Sequence, residues 1–382
     1  MANVNRFSKA LVAAAGLVAS ALVLSGCSTI APDAKPTEVS FKVCVLGDGG
    51  FGGQSFNDAA YQGVLQTQAE FGVHVVTRQV SSSADPEAFA TQAAKLLKQS
   101  CGAFVAIGDN AGSIEPLAKK YSKIKFLIVK GTDYRLGSAS GIAAAELTNV
   151  KVISFDSQQV GFMAGYLAAA QTETKVVAAF GSNLDSTEVS LLAGFYQGAR
   201  YFNFENGGEV SVRGISGANT DVWASAIPGD RSSVASLTKK FIASGADVIY
   251  PVVGDTSAGS AALGAFDSID AAVAAGSSVS IHLIGSVSDW YRGDAIKAWR
   301  PMILASAQVG AQTQVAKALA SVLDATFAGG ETATYLGDLQ NGGLAITGEN
   351  QVPYSNTYVL AADKLRSQIV SGQIQVTPTL GG

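Results

Sequence analysis

The chain has 382 residues, 48% of them apolar and 15% charged, with 42 glycines and a formal net charge of −4. That length holds two lobes of ordinary domain size, and so apolar a composition is that of a folded α/β protein rather than a disordered chain. No basic patch argues for nucleic acid as a partner.

Arg6 and Lys9 precede an apolar run over residues 10–24, which closes on Leu24-Ser25-Gly26-Cys27. A charged start, a short apolar segment and small residues at its end form the pattern of a secretory signal, too short to span a bilayer with ordinary flanks. The residues before Cys27 resemble a bacterial lipobox, which implies cleavage after residue 26 and a lipid on Cys27. The expectation is a protein outside the cytoplasm, held to the bilayer by that lipid and not by a span. Residues 1–26 are then the signal and 27–40 a flexible stalk carrying Pro32 and Pro36. Loss of Arg6 and Lys9 leaves the remainder more acidic.

From Phe41 onward, short β-branched runs alternate with segments of helical period. Strands are predicted over 42–46, 73–78, 103–107, 125–129, 142–145, 176–180, 209–214, 247–253, 280–284 and 302–307, with helices over 57–68, 86–99, 158–170, 190–203, 232–243 and 310–327. Interleaved strands and helices mean βαβ units and parallel sheets. One echo stands out: the strands over 103–107 and 247–253 both lead into a Gly-Asp pair, Gly108-Asp109 and Gly254-Asp255. Open parallel sheets bind ligands beyond the carboxyl ends of their strands.

Once Cys27 is assigned to lipid, Cys44 and Cys101 remain. Outside the cytoplasm such a pair forms a disulfide more often than it stays reduced, and the flanking strands could be neighbours. A metal site is not expected, because the only histidines are His74 and His282, and no cofactor is expected either.

The loop after the first strand is the richest in chemistry. Gly47, Gly49 and Gly52 satisfy the spacing of a dinucleotide fingerprint. That reading is rejected, because Asp48 puts a carboxylate where a pyrophosphate would meet the backbone. Glycine such as Gly49 instead lets the backbone approach a neutral ligand, with Asp48 accepting from hydroxyls or an amine. Phe56 either offers a flat face to a ring or packs in the core, and Asn57 either reads polar edges or caps the helix. Trp223 and Trp290 either stack on a ring or fill an interface. Asp109, Asp255 and Asp289 are not read as catalytic: no G-x-S-x-G or H-E-x-x-H motif accompanies them, and no enzyme activity is expected.

The segments Asp48-Gly49-Gly50 and Ser55-Phe56-Asn57-Asp58-Ala59-Ala60-Tyr61-Gln62-Gly63 resemble the opening motif of the basic membrane protein family, whose members are substrate-binding lipoproteins of ABC importers, several of them for purine nucleosides. The similarity continues in order through Val152–Phe155 and Gly161-Phe162-Met163-Ala164-Gly165, Gly194-Phe195-Tyr196-Gln197-Gly198-Ala199, Gly245-Ala246-Asp247-Val248-Ile249-Tyr250, the stretch 284–291, and Asn341-Gly342-Gly343. It implies a two-lobed α/β fold of the periplasmic-binding-protein-like first type, with three interlobe crossings near 152–155, 298–302 and 327–332. The lobes would be 41–153 plus 303–327, and 154–302 plus 328–382. It also implies a monomer that closes on a small polar ligand, possibly a purine nucleoside, and delivers it to an ABC permease. A receptor that senses the ligand for a membrane signalling protein is the alternative, with a secreted hydrolase behind it. The pocket would set Asp48, Gly49, Phe56, Asn57 and Asp109 against Gly254, Asp255, Asp289 and Trp290. The chain departs from the family at Gly53 and Gln54, where an acid and a lysine are usual, at Val287, where a carboxylate grips ribose, and at Gln308 and Val309, where a lysine is usual. Such losses alter what a pocket binds, since each charge-assisted hydrogen bond is worth about 1.5–3 kcal/mol.

Overall fold

The computed structural model describes residues 40–49, 51, 55–81, 84–216, 222–254, 259–347 and 356–380. Residues Pro36–Gly382 make one compact unit. The signal, Cys27 and nearly all of the stalk lie outside the described residues.

The chain begins with β1 (Lys42–Asp48), buried from Val43 onward, as expected of a strand in a parallel sheet covered on both faces. Next comes α1 (Phe56–Phe71), which starts at a reciprocal cap: the Asn57 amide donates to Ser55 Oγ, and the Ser55 amide donates to the Asp58 carboxylate. Then follow β2 (His74–Val80), α2 (Pro86–Leu97), β3 (Ala103–Ile107), α3 (Glu115–Lys120), β4 (Lys125–Val129) and β5 (Val150–Phe155). A second series repeats the pattern with α4 (Ser157–Gln171), β6 (Val176–Phe180), α5 (Ser186–Asn206), β7 (Ser211–Arg213), α6 (Arg231–Ala243), β8 (Val248–Pro251), α7 (Leu263–Ala274), β9 (His282–Val287) and β10 (Ile303–Val309). The chain ends with α8 (Ala311–Leu323), β11 (Tyr335–Gly337), β12 (Leu344–Thr347) and α9 (Asn356–Val370).

Among the described residues the strands form two six-stranded sheets. The first runs β11-β5-β4-β3-β1-β2 and the second β12-β10-β9-β8-β6-β7. Every pairing is parallel except that of β10 with β12. The architecture is therefore the expected α/β one of two mostly parallel sheets flanked by helices. The chain leaves the first sheet after β5, and α4 packs against α5, β10 and β12 of the second half. Almost every side chain of α4 from Ser157 to Ala169 is buried, which suits a helix enclosed on all sides. It can lie so close to α5 because glycines meet there: a side chain at Gly165 would overlap the carbonyl of Phe195, and one at Gly194 that of Gln158.

Three local expectations differ from the structure. Residues 142–145 are not a strand; a short 3-10 turn spans Ala144–Glu146, and the strand that follows β4 in the chain and pairs with it is β5. Residues 303–309 were expected in the first lobe with the rest of 303–327, but β10 is hydrogen-bonded to β9 of the second sheet, and only α8 packs against α1, β4 and β5. Conversely, 328–382 is not confined to the second lobe, because β11 pairs with β5 in the first sheet. The chain thus changes sides around Gly310 and again between β11 and β12, rather than near 298–302 and 327–332. The cause is that a buried apolar strand fits either sheet by composition, and only its hydrogen-bonded neighbour decides between them.

Cys44 in β1 and Cys101 just ahead of β3 are joined in a disulfide, with Cα atoms 5.7 Å apart and 57 positions between them in sequence. Loop closure of that length is worth roughly 4 kcal/mol on the chain-entropy model. Alkylation of the folded, exported protein should label neither cysteine before reduction, and the Cys44→Ala, Cys101→Ala double variant should lose stability up to that amount in chemical denaturation.

Candidate ligand-binding site

The loops at the carboxyl ends of β1 and β3 from the first sheet, and of β6 from the second, converge on a small cavity of about 20 Å³. It is lined by Asp48, Asn57, Gly108, Asp109, Asn183, Asp185 and Thr187. Asp48 is the last residue of β1 and only 7% exposed. One of its carboxylate oxygens, Oδ2, accepts from the Asn110 amide and from Asn110 Nδ2, both at 2.9 Å. The other, Oδ1, is buried with no hydrogen-bond partner among the described residues. Burial raises the Asp48 carboxyl above the usual carboxylate range, opposed by the Asn110 amide, with the charge of Asp109 pushing the same way as burial. Asn57 Nδ2 donates to the Asp48 carbonyl, which locks the start of α1 onto the end of β1. Gly108, at φ +110°, has no room for a side chain: a Cβ there would sit 2.5 Å from that of Asp48.

The two halves of the chain touch directly at this point. Asp109 accepts from the backbone amide of Ser186 at 3.0 Å and from the Ser186 hydroxyl, and Thr132 lies 3.4 Å from the same hydroxyl. Lys130 Nζ donates to the Asp109 carbonyl at 2.6 Å, and burial lowers its pKa despite the neighbouring charges of Asp109, Asp48 and Asp185. On the second side Asp185 caps α5 by accepting from the Glu188 amide at 2.9 Å. Glu188 in turn accepts from the Ser182 amide, the Ser182 hydroxyl and the Leu184 amide. Burial raises the pKa of both acids, and for Asp185 the charge of Glu188 adds to the effect.

Of the residues named from sequence, Asp48, Asn57 and Asp109 therefore share one cavity. Gly49 makes the turn out of β1 at φ +90°, its amide donating to the Val80 carbonyl, but does not line the cavity. Phe56 sits in the core at 3% exposure, edge-on to Phe155 with ring centres 5.9 Å apart, and Phe155 meets Tyr335 in the same way. Its ring is not on the cavity wall. The partners expected across the cleft are elsewhere as well. Gly254, at φ +101°, gives its carbonyl to Trp290 Nε1 at 2.8 Å, and Trp290 is fully buried against Phe266. Asp289 caps the short turn Trp290–Arg292 and pairs with Arg292 at 3.1 Å. Trp223 is buried among core residues. Asp255 lies outside the described residues, as do Gly53 and Gln54. Facing Asp48 and Asp109 instead are Asn183, Asp185, Ser186 and Thr187, which follow β6. The rule that ligands gather at carboxyl ends of strands applies to β6 as well as to β8, so the signal was present in the sequence.

At the positions where the resemblance expects charge, Val287 ends β9 with φ +65°, rare for a β-branched residue, and Gln308 Nε2 is spent on Thr347 Oγ1 at 2.9 Å, tying β10 to β12. Two outcomes follow. Phe56→Ala should cost about 3–5 kcal/mol of folding stability, as for a core aromatic, when measured by denaturant titration. Asp109→Ala removes both bonds to Ser186 and should weaken closure by about 1–3 kcal/mol, read as a larger radius of gyration in solution scattering of the ligand-free protein.

Comparison with known proteins bears on this geometry. The Bmp family, described as ABC transporter substrate-binding protein PnrA-like, matches residues 40–379. A sequence search among curated proteins finds no match. Among solved structures, the chain is similar to a solute-binding protein of an ABC transporter system from Aeropyrum pernix K1, at 22% identity over 88% of this chain and 92% of that one, with a TM-score of 0.66. A solute-binding protein of an ABC transporter system from Conexibacter woesei DSM 14684 is 17% identical over 90% of this chain and all of its own, at a TM-score of 0.57. An ABC transporter periplasmic solute-binding protein from Actinobacillus succinogenes 130z, solved with bound D-allose, is 14% identical over 82% and 99% of the two chains, at 0.56. At these identities the solved structures speak for the fold alone. The family match spans both halves of that fold and every loop that forms the cavity, and the chain accordingly belongs to the Bmp family of PnrA-like ABC transporter substrate-binding proteins, a family of binding proteins and not of enzymes.

Proposed function

We propose that this protein is the extracytoplasmic, lipid-anchored member of an ABC import system, which captures a small polar ligand between its two lobes and delivers it to a membrane permease. The observation that carries the reading is the cavity at the facing carboxyl edges, closed by the bonds from Ser186 to Asp109. A cavity of about 20 Å³ is room for little more than one water, whereas small-molecule sites measure roughly 300–1,000 Å³. The lobes must part to admit any ligand and close once it is in place, a hinge motion of the kind that binding proteins of this architecture use. The chain's passages between the two sheets, after β5, after β10 and between β11 and β12, are the places for the hinge.

Purine nucleosides are the ligand class that the family resemblance suggests, with Asp48 accepting from the base or from ribose hydroxyls. Cys27 supplies the lipid anchor, and among the described residues no helix is long and apolar enough to cross a membrane. A thermal-shift screen of nucleosides, bases and sugars tests the ligand, since a ligand at a hundred times its Kd adds about 2.7 kcal/mol to folding stability. A nucleoside should raise the melting temperature, and a panel in which only other polar compounds do so would discard the purine and keep the transport role. Cys27→Ala should release the protein from the membrane fraction and abolish its labelling by fatty acid.

A further inference from the structure

The edge of the first sheet where its strands begin, opposite the cleft, gathers lysines that are scattered over residues 42–125 of the sequence. β1 starts at Lys42 and β4 at Lys125, and the backbone joins them side by side: the Gly102 amide donates to the Lys42 carbonyl and the Lys125 amide to the Gly102 carbonyl. Lys42 Nζ also donates to the Gln99 carbonyl at 2.6 Å, which brings Lys95 and Lys98, at the end of α2, to the same edge. α3 ends on Lys119 and Lys120, and Lys123 follows in the turn into β4. Among the described residues only Lys119 of these lysines has an acid partner, Glu146 at 2.5 Å. Lys120 and Lys125 lie over the rings of Tyr121 and Phe327, which leaves their charge unneutralised. Lys95, Lys98, Lys120 and Lys123 are exposed. The acids that reach this edge are Glu70, Glu146, Asp324 and Glu331, fewer than the lysines, so it carries a surplus of positive charge on a chain whose net charge is −4.

Capping of helix ends does not account for the surplus. Lysine suits the negative end of a helix, and α2 and α3 end here, but α1 and α8 end here too and carry no base in their last turn. Nor does the fold require it, since the matching edge of the second sheet mixes Lys175 and Lys240 with Glu173, Glu209 and Asp247. A face of surplus lysine attracts an anionic surface, and the course of the chain selects which one. The stalk joins the fold at Phe41, whose ring lies against Gly102 among these lysines. From Cys27 to Phe41 the chain reaches at most roughly 50 Å when fully extended, so a lipid on Cys27 makes this edge the part of the fold attached nearest to the headgroups. We propose that the amino edge of the first sheet is a docking face for anionic phospholipid headgroups, on which the tethered protein stands with its cleft turned away from the bilayer. β1 is seven residues long, which sets the cavity roughly 20–25 Å above the headgroups, clear of the membrane for capture of ligand. Each lysine held within a Debye length of an anionic bilayer contributes roughly a fivefold factor in affinity. The inference rests on the reading of Cys27 as the lipid anchor.

Lipid composition tests it. The full exported chain is reconstituted through its lipid into vesicles of phosphatidylcholine, with or without phosphatidylglycerol, and a fluorophore is placed at Ser122→Cys on this edge or at Asn206→Cys at the end of α5. Lipids with a nitroxide on the headgroup report proximity by quenching. Phosphatidylglycerol should raise the membrane-contacting fraction at Ser122→Cys roughly fivefold or more and leave that at Asn206→Cys unchanged. High salt shortens the Debye length and should reverse the rise. The exposed lysines can be neutralised without touching the core, so Lys98→Gln, Lys120→Gln and Lys123→Gln together should abolish it, with circular dichroism reporting that the variant is folded. Equal quenching in the two kinds of vesicle, or a rise that survives the triple substitution, would overturn the docking face while leaving the anchor in place. A chain that does not insert into neutral vesicles overturns the anchor instead, and cosedimentation of the same chain with phosphatidylglycerol vesicles then decides the proposal: binding that the triple substitution removes upholds the face, and no binding discards it.

Discussion

Ser186 donates its amide and its hydroxyl to Asp109, and through that contact the end of one parallel sheet is held against the end of the other. Asp109 follows β3 and Ser186 begins α5 directly after β6, so two short loops, far apart in sequence, become opposite walls of one cavity. The contact is electrostatically well placed. The first amides of a 21-residue helix lack intrahelical partners and carry the positive end of its dipole, so a carboxylate there is favoured. Asp185 uses the same helix end as its cap, and Thr187 stands over Gly131, where any side chain would collide with it. The position of every other group in the site is set relative to this seam.

Bringing acids together at this seam has an energetic consequence. Burial disfavours the charged carboxylates and the charged Lys130 alike, so the pKa values of Asp48, Asp185 and Glu188 move up and that of Lys130 moves down. Hydrogen bonds offset much of this. Glu188 is satisfied by backbone and hydroxyl donors, and Asp48 is half satisfied by Asn110. The remaining mismatch is concentrated on one oxygen of Asp48. Departures from full polar satisfaction in a folded protein gather at functional sites, where binding and not folding completes them. By contrast, the polar groups around Trp290 are served within the fold: its indole N–H meets the Gly254 carbonyl, its amide meets Ser306 Oγ, and Asp289 is used as a cap.

Much of the first half of the site was legible in sequence because it is local. Asp48 and Asp109 lie at or just past a strand end and Asn57 lies in the first turn of the following helix α1, and strand ends announce themselves through β-branched runs that stop at glycine. The strands 103–107, 125–129 and 176–180 are found where periodicity puts them, as β3, β4 and β6. For the second half, several loops of the same composition end at the same edge: the echo between Gly108-Asp109 and Gly254-Asp255 points to the loop after β8, whereas the residues that share the cavity with Asp48 follow β6. Phe56 shows the other limit. An aromatic residue after a glycine-rich loop has the same signature whether it stacks on a ligand or, as here, on Phe155, because both surroundings are apolar and both lie at the same sheet edge.

What the sequence determined by itself is what short-range chemistry decides: alternating strands and helices, the cap at Ser55 and Asp58, the candidate cysteine pair, the Gly-Asp strand ends and the succession of motifs that resembles one family. What only the tertiary structure decided is which ends face each other. β10 joins the second sheet and β11 the first, although both are short apolar runs, because sheet membership is settled by hydrogen-bonded neighbours distant in the chain. The pairing of the β1 and β3 loops with the start of α5 depends in turn on where the chain passes between the sheets. A local pattern encodes an element's type and its buried face, but the long-range pairings that orient one sheet edge toward another are energetically collective, and no single residue carries their signature.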